Sequence, residues 1–236
     1  MPVSLERLLR PRSIAVVGAS DRPGSFGERL VVEALRSTGV DRVHLIHPTR
    51  NRVHDRDCVP SLDDLDEAPD LVLFGIPDRA LPDEVRRAAE LGAGGGVCFG
   101  SAYGLGEALR GAAASGAVPL PLVGAGCMGF VNPTHGVRAI GYLERTTLPA
   151  GPIALVTHSG SVFSALLRTH RRLEYSLAVS SGQELVTASG DYLHWALDQP
   201  ETRVIGLFLE ASRGPESLRS ALARAAAADI PVVALT

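Results

Sequence analysis

The sequence predicts an α/β protein with parallel sheets, and three observations predict it. Residues 13–27, SIAVVGASDRPGSFG, pass from a short apolar run into a loop with glycines at 18, 24 and 27, and ERLVVEALRSTG follows with Leu30, Val31, Ala34 and Leu35 at helical spacing. Residues 71–76, LVLFGI, are apolar throughout, as a strand covered on both faces should be. Strand and helix patterns then alternate along the rest of the chain, which is how helices cross over a parallel sheet.

Taken in order, residues 5–9 read as a short leading helix stopped by Pro11, and residues 14–17 as the first strand. The glycine loop after it lets backbone approach a phosphate, while the start of the next helix offers free N–H groups and a favourable dipole. The loop is longer than G-x-G-x-x-G, so it indicates only a nucleotide-like ligand; the same glycines also suit a turn that needs them for steric reasons alone. Residues 42–48 form a second strand ended by Pro48, and residues 51–70 are polar and irregular, with Leu62 and Leu65 holding one helical turn. After the third strand, Pro82, Asp83 and Glu84 open a helix that Gly92 closes. A fourth strand follows at 97–99, a helix between 104 and 115, and a fifth strand at 118–123.

TTLPAGP at 146–152 reads as a linker, giving domains at 1–147 and 148–236. The pattern restarts with a strand at 153–156, the turn Thr157-His158-Ser159-Gly160-Ser161 and a helix at 162–171, a faint echo of the first unit. Strands at 177–180 and 204–209 enclose a helix at 192–197, and a helix at 215–228 leads to a last strand at 231–235. Thr236 stands at the carboxyl end of that strand, where ligand loops begin in such sheets, so the end reads as a cut.

The composition is that of a globular chain able to bury a core, at 45% hydrophobic and 21% charged over 236 residues. A net charge of −3 supplies no basic excess for nucleic acid or a membrane surface. No apolar run approaches the ~20 residues of a membrane helix, and the first residues lack the apolar core of a secretory signal. Three scattered cysteines and seven scattered histidines form no metal-binding or disulfide pattern, so a reduced, cytoplasmic protein without a structural metal is expected.

A sheet that binds NAD usually carries a carboxylate at the end of its second strand. Here that place reads His47-Pro48-Thr49-Arg50-Asn51-Arg52, with no carboxylate. An arginine there suits a phosphorylated ribose, which leaves NADP or coenzyme A; the alternative is that Arg50 and Arg52 are solvated loop charges.

Set in order, several segments resemble the NDP-forming acyl-CoA synthetases, the ADP-forming acetate–CoA ligase family related to the succinyl-CoA synthetase α subunit. They are RPRSIAVVGASDRPGSFG, HPTR, PSLDDLDEAPDLVLFGIP, GCMGFVNP, IALVTHSGSVFSALL and DQPETRVIGLFLE, which together span nearly the whole chain. The resemblance implies a Rossmann-like CoA-binding domain followed by a flavodoxin-like domain. It also implies the conversion of acyl-CoA, NDP and phosphate to acid, CoA and NTP through an acyl phosphate and a phosphohistidine. By the same resemblance Gly18, Ala19, Ser20, Ser25, Phe26 and Gly27 line the CoA pyrophosphate, Arg50 faces a CoA phosphate, and Ile76 and Pro77 lie along the adenine. Ser101, Cys127 and Met128 sit near the pantetheine arm. Ser159, Gly160 and Ser161 hold the phosphate of the phosphohistidine, and Glu210 orients that histidine. Glu210 also reads as a strand-end carboxylate capping the next segment.

The sequence departs from the family in four places. Gly124-Ala125-Gly126-Cys127 stands where the family has GPNC, so the asparagine amide is missing. His158 replaces the usual glutamine or arginine and is read as a supporting donor. No histidine follows His194, and the ATP-grasp domain that binds ATP or ADP with Mg is not in the chain. The chain is therefore expected to need an ATP-grasp domain or subunit, to belong to an oligomer and not to turn over alone. The other classes are a CoA sensor, which would not need Glu210 or the second turn, and an NADP oxidoreductase. Against the latter, lysine is absent altogether, and with it any Tyr-x-x-x-Lys pair. A serine hydrolase fails because no G-x-S-x-G stands at a strand-to-helix turn.

Overall fold

The structure is a computed structural model that describes residues 4–236. It contains two sheets. Strands β1 (Ser13–Val17), β2 (Arg42–Ile46), β3 (Arg52–Val53), β4 (Arg56–Val59), β5 (Leu71–Phe74), β6 (Gly96–Cys98) and β7 (Leu122–Gly124) form the first, in the order β3-β4-β2-β1-β5-β6-β7. Strands β8 (Gly129–Asn132), β9 (Val137–Ile140), β10 (Ala150–Thr157), β11 (Tyr175–Ser180), β12 (Val204–Phe208) and β13 (Val232–Leu235) form the second, in the order β13-β12-β10-β11-β8-β9. The helices are α1 (Glu6–Leu9), α2 (Phe26–Leu35), α3 (Leu81–Leu91), α4 (Gly106–Ala113), α5 (Gly160–Arg168), α6 (Ser189–Leu197) and α7 (Pro215–Ala227).

Both sheets are mainly parallel, and each also carries antiparallel pairing at one edge. β3 runs antiparallel to β4, in a segment expected to be irregular. β8 and β9 pair antiparallel with each other, and β8 pairs antiparallel with β11. Residues 129–140 thus contribute to the second sheet although they precede the linker. The expected fifth strand is shorter, beginning at Leu122 and not at 118, because Pro119 and Pro121 cannot donate to a ladder. The helix after the second turn stops at Arg168, before 171.

Alternation along the strands sorts the core. Ile14 and Val16 face a cluster shared by both sheets, which takes in Leu30 and Val31 of α2, Phe130, Val156, Val179 and Tyr192. Ala15 and Val17 face a second cluster with Val72, Phe74, Leu81 and Val85 under α3 and α4. Leu155, Phe163 and Tyr175 belong to a third, under α5. A buried ionic network also crosses between the sheets. The Glu33 carboxylate of α2, fully buried, accepts from Arg138 Nε of β9 at 2.6 Å, from Arg36 Nη1 at 2.8 Å and from the Glu144 backbone at 3.1 Å.

The topology fixes where ligands can approach. From β1 the chain runs first to β2 on one side and later to β5 on the other; from β10 it runs to β11 on one side and to β12 on the other. The carboxyl ends of β1 and β5, and those of β10 and β12, are therefore switch points, where an open α/β sheet leaves a crevice.

Candidate functional site

The first turn is built from close backbone packing. Gly18 has φ +86°, and a Cβ there would lie 2.5 Å from the Gly75 carbonyl at the end of β5. A Cβ on Gly27 would lie 2.2 Å from the Gly18 carbonyl, so only glycine lets the start of α2 sit on the end of β1. The Gly18 and Ala19 N–H groups are spent on the Ile46 carbonyl, at 3.0 and 3.1 Å. Ser25 caps α2, its hydroxyl accepting from the Glu28 N–H at 3.2 Å, and Ser20 accepts from the Arg22 N–H at 3.1 Å. Residues 21–24 form an exposed rim. Arg50, itself exposed, reaches this rim and pairs with the exposed Asp21 at the mouth of the turn. Phe26 meets Phe99 edge-on at 5.3 Å between centroids. Ile76 is half-buried beside Gly18, and Pro77 is exposed next to it.

The second turn is tighter. Ser159 caps α5 by accepting from the Val162 N–H at 3.3 Å, and its own N–H goes to Thr157 Oγ1 at 3.0 Å. Ser161 is exposed at the helix start, and no acidic side chain occupies that first turn. Glu210 is exposed just past β12, and its backbone N–H donates to His158 Nδ1 at 3.1 Å. His158, expected as a supporting donor, is therefore an acceptor at that nitrogen. Its side chain is buried against Glu184, a residue the sequence reading did not single out.

The loop 124–128 lies between the loop after β6 and the start of α5. Gly126 N–H donates to the Gly100 carbonyl at 2.6 Å, and Gln183 Nε2 donates to the Ser101 carbonyl at 2.6 Å. The Gln183 and Leu185 N–H groups donate to Ala125 and Gly124, at 2.9 and 3.0 Å. Met128 N–H donates to Ser180 Oγ at 3.1 Å, and Met128 packs on Gly160, where a Cβ would stand 2.6 Å from its Cγ. Ser101 is held by Asp78, to which it donates at 3.0 Å. Cys127 is buried, its thiol directed at the Cys98 carbonyl 3.3 Å away, and burial pushes that thiol up to about 12. The structure thus gathers Ser101, Cys127, Met128 and Gly160 at one seam and places Gly18, Ser25, Gly27, Ile76 and Arg50 around the neighbouring turn.

A cavity of about 650 Å³ lies elsewhere, between Leu5, Pro119, Pro121, Trp195 and Arg224, and contains none of these residues. The candidate site residues lie instead on and around the two turns at the strand ends. Among the described residues no cluster of His, Cys, Asp and Glu could hold a metal ion, and no helix is long and apolar enough to cross a membrane.

Fold and turns together define a two-sheet α/β protein with a helix start directed at each switch point. Residues 12–133 match the CoA binding domain family and residues 150–236 match the succinyl-CoA ligase-like flavodoxin domain; the chain belongs to the CoA binding domain family and carries the second domain after it. It is 28% identical, over 98% of its length, to trans-feruloyl-CoA synthase FCS1 of an unknown prokaryotic organism, of which it covers 34%. It is 23% identical, again over 98% of its length, to the ADP-forming acetate–CoA ligase of Methanocaldococcus jannaschii, of which it covers 33%. The chain therefore spans about a third of the length of these curated relatives. The dinucleotide-forming acetyl-coenzyme A synthetase 1 of Ca. Korarchaeum cryptofilum, solved with phosphate and ADP, shares the fold with a TM-score of 0.89 at 23% identity, over 99% of this chain and 52% of that one. The sequence resemblance to NDP-forming acyl-CoA synthetases is borne out.

Proposed function

We propose that the chain supplies the CoA-binding and phosphate-holding portion of an NDP-forming acid–CoA ligase. The observation that carries this reading is the seam: loop 124–128 bonds to the loop after β6 at Gly100 and packs Met128 on the start of α5, so a thioester whose thiol end lies beside loop 124–128 ends next to the helix start of the second turn. CoA is assigned to the first turn because that turn opens at a switch point beside the start of α2, a close approach that Gly18 and Gly27 permit, and Arg50 brings a cation to the rim. Ile76 and Pro77 border the same crevice as an adenine side, and Ser101, Cys127 and Met128 border the thiol end.

In the proposed reaction phosphate displaces CoA from acyl-CoA, giving acyl phosphate and the free thiol. A histidine then takes the phosphoryl group, releasing the acid, and passes it to NDP. The start of α5, with Ser159, Gly160 and Ser161, holds that phosphoryl group by its backbone N–H groups and dipole. Glu210 orients the accepting imidazole and fixes its tautomer. The 236 residues offer no histidine beyond His194, so the phosphoryl acceptor and the ATP-grasp domain that meets ATP or ADP with Mg are assigned to a further segment or subunit. Support comes from the α subunit of ADP-forming acetate–CoA ligase I of Pyrococcus furiosus, which matches 88% of this chain at 22% identity.

Calorimetric titration with CoA, with NADPH as control, tests the reading. CoA is expected to bind and Arg50→Ala to weaken it about tenfold, the loss of one charge-assisted contact. Binding of NADPH, or of neither ligand, would refute it.

A further inference from the structure

The pair His158–Glu184 lies beneath the second turn. Both side chains are almost fully buried, at 6% and 1% exposure, and His158 Nε2 stands 3.0 Å from Glu184 Oε1 without the alignment of a hydrogen bond. Glu184 is fixed from two other elements. Ser181 Oγ at the end of β11 donates to its Oε1 at 2.8 Å, and Ser189 Oγ at the start of α6 donates to the same oxygen. On its other edge the ring accepts the Glu210 N–H, while the His158 N–H donates to the Phe208 carbonyl at 3.0 Å. An imidazole that accepts at Nδ1 carries its proton at Nε2. Neither nitrogen then faces open solvent with a free lone pair, so His158 is poorly placed to attack phosphorus itself.

We propose that His158 is a positioning residue: its ring, protonated at Nε2 and accepting at Nδ1, holds the Glu210 backbone beside the start of α5, with the Glu184 carboxylate lying against its other edge. The consequence for phosphoryl chemistry rests on the function proposed above; the positioning does not. The ionisable groups that face the ring are Glu184, from the segment after β11, and Glu210, at the end of β12; the buried Tyr192 of α6 lies close enough to Glu184 to feel its charge, and α5 adds no acid in its first turn.

The test uses the full chain labelled with ¹⁵N. Long-range imidazole spectra are expected to show the Nε2–H tautomer at His158. His158→Phe, which has no acceptor, is expected to lower hydrogen-exchange protection of the Glu210 amide about tenfold, with the β12 amides unchanged. His158→Asn, whose Oδ1 takes the place of Nδ1, restores it. An Nδ1–H tautomer, or full protection in His158→Phe, overturns the proposal; if that variant does not fold, the wild-type tautomer still decides. In a separate arm inorganic phosphate is added to the wild type. Failure to shift the Gly160 and Ser161 amides would refute the phosphate reading of α5 and leave the His158 result standing on its own.

Discussion

The two strand–turn–helix units use the same physics for different openings. After β1 the chain makes a long excursion from Gly18 to Ser25 before α2, with residues 21–24 exposed; after β10 only His158 and Ser159 intervene before α5. The long turn is stabilised from within by glycine packing, Gly27 on Gly18 and Gly18 on Gly75, and leaves its rim open. The short one is stabilised from beneath, by a buried imidazole and carboxylate. A helix start attracts an anion in either case. What the difference teaches is that one motif can be supported in two ways: the first turn leaves a long exposed rim over internal glycine packing, and the second leaves only two residues over a buried polar floor, which is the contrast the proposed CoA and phosphoryl assignments draw on.

The largest expected effect comes from severing what holds the two units together. Glu33 sits on the helix of the first unit, and its partner Arg138 sits on a strand of the second sheet with its side chain 6% exposed. Glu33→Ala leaves that guanidinium buried without its counter-charge, which costs about 3–5 kcal/mol. Urea unfolding should show this as a lower midpoint, and a loss below about 1 kcal/mol would mean that the seam is hydrated and the units nearly independent.

The next contrast sets one turn against the other. Alanine at Gly27 meets backbone and cannot be accommodated, so about 3 kcal/mol of stability and the CoA affinity should go together. Alanine at Gly160 meets the flexible Met128 and should cost about 1 kcal/mol, with CoA affinity falling far less than at Gly27 because only the thiol end is disturbed. Equal losses at the two glycines would contradict the distinction between a turn supported from within and one supported from below.

The parts legible in sequence were those with local signals. Apolar runs ending in glycine or serine turns located both units, and Pro82 and Gly92 bounded α3 within a residue. The β3–β4 hairpin was missed because its turn takes positive φ at His54 and Asp55, 49° and 56°, without the Asn-Gly or Asp-Gly that announces such a turn. β8 and β9 were missed for another reason: they form a hairpin whose connection, a 3-10 turn at Pro133–His135 closed by Gly136, lacks a two-residue turn signal, and the other partner of β8, β11, lies far along the chain. Glu184 lies in the polar stretch SSGQELVTASG, where a carboxylate ordinarily reads as solvated. Its one available signal was position, just past the carboxyl end of a strand next to a switch point.

The smallest effect tests how tightly the seam is closed. Burial raises the Cys127 thiol from an ordinary value of 9.0 to about 12, so the folded chain keeps a proton that the unfolded chain gives up. Below pH 9 both states hold the proton and the thiol's full contribution is present. Between pH 9 and about 12 unfolding releases a proton, and stability falls as pH rises. At pH 10 the expected loss from this group is on the order of 1 kcal/mol. Other buried groups titrate in the same window, among them Cys98 and Tyr175, both raised by burial, so the informative quantity is a difference. Cys127→Ala should show an offset from wild type that shrinks between pH 8 and pH 10, because only the wild type loses this contribution; all three cysteines are free, which leaves no disulfide to confuse the comparison. A constant offset, together with rapid alkylation of Cys127 in the folded chain at pH 8, would show that water reaches the seam. The end of β6 and the loop 124–128 would then meet through water, without the dry contact of the Cys127 thiol on the Cys98 carbonyl.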